Sequence, residues 1–425
     1  MRTVLALLLP LVSFIIGSPA WAQCPPAYDW SGFYPPASLD RVTQRTVPGL
    51  RSNFDQVMLP QLTDQERRVL RGAMLDLGQR EDARHPMNFY AAQGGRVVLP
   101  LSSVKMVSDL TVAVAWLNRH RLPEKKVFDY AAMLAFRGPA PDGVRALPLA
   151  ALGVPDSALD SPEVEGLFQK LYGDAMVFIM AHELGHLFHG HSANVGLDQS
   201  RQQESEADAF AVELMARMHA PPVGIVFYFN MVAPFECPAR STHPMSGTRI
   251  ERLAAALRTN GPLFVQDKPS PQRELMLLES IIQGLGQVAK LLDDPDIREA
   301  MRLTGQSSTV AQFSGASAPA VVAPPSRQAF DGNYVGQWGD AKTQLDFRMT
   351  LEREAQTVRG RYDFGMGVAE LEGIVTGDQL DYAWRWGSDY FGRGRIKSAA
   401  DGKLHGTWGY GQRYDGAGTL TAEPR

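Results

Sequence analysis

The spacing of apolar residues changes once along the chain, and that change divides it. Over residues 102–120, Val104, Val107, Leu110, Val114 and Leu117 recur at helical spacing, which predicts a helix with one buried face. Residues 163–191 predict one or two helices. From Ala175 to Met180 every position is apolar, so that segment should be buried all round. Another helix is expected over 202–218, ended by Pro221 and Pro222, with a short apolar run at 223–231. Residues 248–257 and 272–303 complete the helical pattern. In the latter, Leu275, Leu278, Ile281, Ile282, Leu285, Val288 and Leu291 form a broad stripe. Nearer the start, a helix is expected near 62–77 behind a cap at Thr63 or Asp64. A short strand is expected at 96–101, and a helix or a strand at 127–136. Pro and Gly mark 138–162 as a loop, and the Pro- and aromatic-rich residues 23–50 read as an irregular arm.

In residues 304–328 Ser, Ala, Pro, Gly and Val dominate, with almost no charge, which reads as a flexible linker. Beyond them Leu345, Phe347, Met349 and Leu351 alternate with Gln344, Asp346, Arg348, Thr350 and Glu352. That is a strand period with one wet face. Turn signals recur down to Asp415-Gly416. About eight short strands are expected, in an antiparallel meander that closes into a small barrel or sandwich. The organisation is therefore α+β: a mostly helical domain over 23–303, a linker over 304–328, and an all-β domain over 329–425.

Composition changes this picture little. A chain of 425 residues exceeds one ordinary core, and 44% apolar with 21% charged residues is a globular composition. A net charge of −4 without a Lys/Arg run argues against a nucleic-acid partner. The start does matter. Arg2, an apolar run over 4–16 and Ala20-Trp21-Ala22 read as a cleavable export signal, residues 1–22. The run is short of the roughly 20 residues needed to span a bilayer. No integral membrane segment is expected after it, and the mature protein should be periplasmic or secreted. In an oxidising compartment the two cysteines, Cys24 and Cys237, either pair or remain as two thiols.

The chemistry is concentrated in one segment. His182-Glu183-Leu184-Gly185-His186 places two imidazoles four residues apart on one helix face, where both can reach a tetrahedral ion. Glu183 stands beside them as a candidate general base. Two histidines and a glutamate in so apolar a helix would be costly to desolvate without a partner. Catalytic zinc commonly takes three protein ligands and keeps one position open. Glu204 and Asp208, four apart on the next helix, can supply the third ligand and an outer carboxylate that orients an imidazole. Glu206 points elsewhere on that helix.

These residues resemble the M48 family of zinc metallopeptidases, most nearly its exported BepA-like type without the helical repeat module. The resemblance rests on Ala181–His186, on Glu204-x-x-Ala207-Asp208, and on Thr242-His243-Pro244 followed by Arg249, and covers roughly residues 90–260. It implies a gluzincin-type helical domain, one Zn2+ per chain on His182, His186 and Glu204, and a small sheet whose edge pairs with an extended substrate. Residues 96–101 are the candidate for that edge. It also implies that His243 lies near the metal and the reacting carbonyl oxygen, with Arg249 helping to fix the site. The leading expectation is an endopeptidase acting on extended or misfolded envelope polypeptides. The alternative is a non-catalytic zinc-containing chaperone or assembly factor. His189 and His191 read as ordinary exposed histidines after a helix end. Trp338, Trp384, Trp386 and Trp408 read as filling a β-core more readily than as lining a site for a partner or ligand of the β domain.

Overall fold

The computed structural model describes residues 24–425 apart from 79–84, 238–240, 242, 267, 269, 315–328, 340–343, 364–367, 387–389 and 400. The segment read as an export signal lies outside the described residues, as do Thr242 and most of the segment read as a linker. The architecture is α+β, a helical part followed by a closed β-barrel.

The arm expected to be irregular is largely helical, with α1 (Pro36–Arg45) and α2 (Val47–Ser52). Trp30, Phe33 and Tyr34 are buried ahead of them, so the aromatics of this arm are core residues. The helix expected over 62–77 is shorter. Thr63 and Glu66 form a reciprocal capping box at the start of α3 (Asp64–Val69). Gly72 then turns the chain at a φ of +83°, and the chain continues as strand β1 (Met74–Asp76). Strands β2 (Tyr90–Ala92) and β3 (Arg96–Val98) complete a three-stranded sheet of order β1-β3-β2. The 96–98 strand is therefore its centre, parallel to β1 and antiparallel to β2. Among the described residues the edge strands are β1 and β2, which corrects the expected substrate edge.

Helices α4 (Leu101–Arg119) and α5 (Lys125–Arg137) come after the sheet, then the short α6 (Pro148–Ala151). The long α7 (Pro162–His189) is a single helix, capped by the Ser161 side chain and ended by Gly190 in the left-handed region. Against it pack α8 (Leu197–Arg217) and α9 (Val223–Val232). Residue 224 must be Gly, because a Cβ there would lie 2.2 Å from the backbone nitrogen of Ala175 in α7. Then come α10 (Gly247–Val265) and α11 (Pro271–Asp293). By length and composition α11 could cross a membrane, against expectation. Its Leu278, Ile281, Ile282, Leu285 and Val288 are buried in the helical core. The stripe read over 272–303 is interrupted where the Asp294 carboxylate caps the backbone of Asp296 and Ile297, starting α12 (Pro295–Ser307). The first part of the expected linker is also helical, in α12 and α13 (Val310–Ser314). Phe313 is buried edge-on against Tyr130, a packing contact that the low charge and small residues around it concealed.

Cys24 and Cys237 form a disulfide across 213 positions of sequence, tying the N-terminal arm to the segment between α9 and α10. Restricting so long a loop in the unfolded chain stabilises the folded one, typically by about 2–4 kcal/mol. The Cys24→Ser/Cys237→Ser double variant should show that loss in urea unfolding, and an unchanged midpoint would contradict it.

The eight strands β4 (Gly332–Gly339), β5 (Gln344–Glu354), β6 (Thr357–Asp363), β7 (Val368–Thr376), β8 (Gln379–Trp386), β9 (Tyr390–Ser398), β10 (Leu404–Tyr410) and β11 (Gly418–Pro424) run antiparallel, and β11 pairs with β4 to close a barrel. Its interior is aromatic. Trp338 and Trp408 stack at 4.1 Å, and Trp384 and Trp386 are buried beside them. A Cβ at Gly394 would stand 2.2 Å from the Tyr382 ring, and one at Gly392 would stand 2.6 Å from Trp384. The glycines make room for rings that fill the barrel. The barrel touches the helical part through Met276 of α11, which receives the Tyr410 hydroxyl, and through the Arg348–Glu124 and Arg121–Glu423 ion pairs.

Candidate metal centre

His182 and His186 lie one turn apart in the buried half of α7. Their Nε2 atoms are 3.0 Å apart. Across from them α8 brings the Glu204 carboxylate, with Oε2 at 3.4 Å from His182 Nε2 and Oε1 at 3.3 Å from His186 Nε2. Ligands about 2.0–2.1 Å from a tetrahedral zinc stand roughly 3.3 Å from one another, so the triangle has the size of one coordination face. Close approach of the two helices makes it possible. A Cβ on Gly185 would lie 2.9 Å from Ala207 Cα. Gly185→Val should therefore push α8 off α7 and weaken metal binding. Competition with a chromophoric chelator would read this, and unchanged affinity would contradict it.

The opposite side of each imidazole is also engaged. Asp208 Oδ1 stands 2.9 Å from His182 Nδ1. Arg249, at the start of α10, is placed by the Ser246 cap and bonds Asp208 through Nε at 2.7 Å and Nη2 at 2.9 Å. Its Nη1 lies 2.7 Å from Glu204 Oε2, and its guanidinium faces the Phe229 ring. One buried cation thus clamps both carboxylates. Burial would raise the Glu204 pKa, but the charges of His243 and Arg249 and the two imidazole contacts hold it well below the usual carboxylate range. Burial pulls His182 down, but bonding to Asp208 and Glu204 outweighs it and lifts the imidazole to about 10. Burial dominates at His186 and lowers it. A cation shared by the three would replace the proton that the carboxylates otherwise hold at His182.

His243 lies between α9 and α10. Its Nε2 donates to Phe89 O at 2.9 Å, just ahead of edge strand β2, and its Nδ1 is 3.1 Å from Glu204 Oε1. Both neighbours are acceptors, so an imidazolium satisfies both. Burial opposes that state, but Glu204 and Glu183 favour it and the pKa is raised. In neutral form, with its proton kept on Nε2, the same imidazole can offer Nδ1 to the ion beside the other three groups. Glu183 is buried, with Oε1 3.9 Å from His243 Nε2, and its Oε2 has no hydrogen-bond partner among the described residues. An unpartnered buried carboxylate oxygen is costly and fits a group that faces water or substrate. A cavity of about 370 Å³ opens on His182, Glu183 and His243 and is walled by Tyr28, Trp30 and Phe235.

The structure therefore brings His182, Glu183, His186, Glu204, Asp208, His243 and Arg249 to one place, and Cys237 of the Cys24–Cys237 bridge also lines the cavity. Sequence reasoning missed two members. His191 Nδ1 lies 2.8 Å from His186 Nδ1, and His191 Nε2 lies 3.0 Å from Glu206 Oε2. The signal was Gly190. With this residue left-handed, the amides of Gly190 and His191 bond back to Leu187 O and His186 O, the paired bonds of a Schellman ending. That turn folds His191 back over His186, and it brings Glu206, read as pointing elsewhere, into contact.

No curated protein and no solved structure matches the chain. Residues 144–262 match the family model of Peptidase U49. The stretch from α7 to Arg249, which carries the histidines and carboxylates that could hold a metal ion, is thus similar to a peptidase family, one distinct from M48.

Proposed function

We propose that the protein is a zinc-dependent endopeptidase that cuts extended or misfolded polypeptides in the cell envelope. The observation that carries the reading is the convergence of His182 Nε2, His186 Nε2 and Glu204 beside the unpartnered oxygen of Glu183. Two imidazoles and a carboxylate are a donor set suited to zinc. When bound there, the ion would act as a Lewis acid on the scissile carbonyl and make water easier to deprotonate.

The chain's own groups do the rest. Glu183 takes the proton of the attacking water through Oε2 and returns it to the departing amine. His243, held as an imidazolium, gives a hydrogen bond to the developing oxyanion when substrate displaces Phe89 O. An extended substrate backbone pairs with β2, an edge strand with no strand on its outer side among the described residues, and a side chain enters the aromatic-walled cavity. Arg249 holds both buried carboxylates through the cycle. The M48-like motifs and the Peptidase U49 match support the peptidase reading, and the disulfide supports export to an oxidising compartment.

Purified protein should digest casein, lose that activity to 1,10-phenanthroline, and regain it on addition of zinc. Digestion that survives complete metal removal would overturn the reading. One observation favours a second state. His243 Nδ1 is within reach of the same ion, and ligation there would fill the open position and silence the enzyme.

A further inference from the structure

We propose that His189, His191 and Glu206 form a second divalent-cation site whose filling opposes metal binding by His182, His186 and Glu204. The second site stands on its own geometry. The antagonism rests on the proposed metal centre.

One ligand atom from each of the three residues lies within 4.8 Å of the others. His191 Nε2 and Glu206 Oε2 are 3.0 Å apart, near the spacing of two ligands on one tetrahedral ion. The carboxylate is held in place because Gln202 Nε2 donates to Oε1 at 2.8 Å. The His189 and His191 rings stack with planes 13° apart. His189 is exposed at the end of α7, so an ion can arrive from solvent, and with the two rings stacked the His189 ring has to turn to aim a lone pair at it. Two imidazoles and a carboxylate select the same borderline cations as the inner site.

The antagonism comes from the protons along the two imidazoles. When His186 binds through Nε2, its proton sits on Nδ1 and is donated to His191 Nδ1, 2.8 Å away. His191 then carries its own proton on Nε2 and donates it to Glu206. Such an outer chain orients a ligating imidazole and makes it a better donor. A cation on His191 Nε2 needs the lone pair of that nitrogen. The His191 proton must move to Nδ1, where it meets the His186 N–H. Two N–H groups cannot share that space, so the contact breaks and His186 loses its acceptor. No proton is gained or lost, but each ion weakens the other.

The test is a zinc titration of the full disulfide-bonded chain, counting bound zinc at each free concentration and assaying casein cleavage in parallel. The wild type should take a second zinc above the range that fills the first. Its inner ion should pass to a competing chelator about tenfold more readily, and cleavage should fall in step. His189→Ala should take no second zinc and should escape the inhibition, with circular dichroism confirming an intact fold. A single zinc throughout, or a second zinc that His189→Ala retains, overturns the site. A second zinc that leaves both the inner ion's affinity and the cleavage unchanged overturns the antagonism. Absence of cleavage at every zinc concentration would instead remove the peptidase reading, while the zinc counts would still decide the second site.

Discussion

Glu183→Gln should reduce casein cleavage by about 10²–10⁴-fold, the usual contribution of a positioned general base, and should leave zinc content unchanged. The amide is nearly the same size as the carboxylate, so the buried packing of α7 is kept. Glu183 is placed beside the ligand triangle, and its Oε2 touches no protein donor among the described residues. Losing the charge therefore breaks no structural bond at that oxygen while removing the carboxylate poised to take a proton from water. Steady-state kinetics should show the loss in kcat. A variant that cleaves at the wild-type rate would eliminate Glu183 as the base. A variant that also loses zinc would mean that its carboxylate supports the ligands.

The second large effect is expected for Arg249→Met. Methionine approximates the apolar length of the side chain but leaves Glu204 and Asp208 buried without their shared cation. Removing one partner of a buried ion pair commonly costs about 3–5 kcal/mol, and here two carboxylates lose the same guanidinium. The loss should be greatest in the metal-free protein, because a bound dication supplies part of the missing positive charge. Urea unfolding with and without zinc reads both quantities. Arg249→Lys should recover little, since one ammonium cannot span the Glu204 and Asp208 contacts made by three separate nitrogens. Equal stability of wild type and Arg249→Met in the absence of metal would contradict the clamp.

Much of this centre was legible in the sequence because helix geometry is regular. The four-residue step from His182 to His186 and from Glu204 to Asp208 fixes which side chains share a face. The apolar run from Ala175 to Met180 announced a buried helix. The alternation from Leu345 to Leu351 announced the antiparallel β domain, though not whether it would be a barrel or a sandwich, since that depends on the β11–β4 pairing across the whole domain. The hidden features were set by turns and by long-range contacts. Gly190 decides where His191 goes, Gly72 ends a helix that the pattern would have prolonged, and Asp294 splits one apolar stripe into two helices. The partner of His243, the carbonyl of Phe89, lies 154 positions away, and no local period can reveal it. The 96–98 strand had the composition of a strand, but its place at the centre of the sheet depended on two flanking three-residue strands with almost no pattern of their own.

The proposed chemistry turns on a single inner ion gripped by two imidazoles of α7 and one carboxylate of α8. Elemental analysis after dialysis at low free zinc, with wild type, His186→Ala and Glu204→Ala side by side, tests it most directly. The wild type should hold about one zinc per chain, and each variant should hold almost none while circular dichroism shows the helices intact. Full zinc occupancy in either folded variant would place the ion elsewhere and contradict the assignment of these ligands.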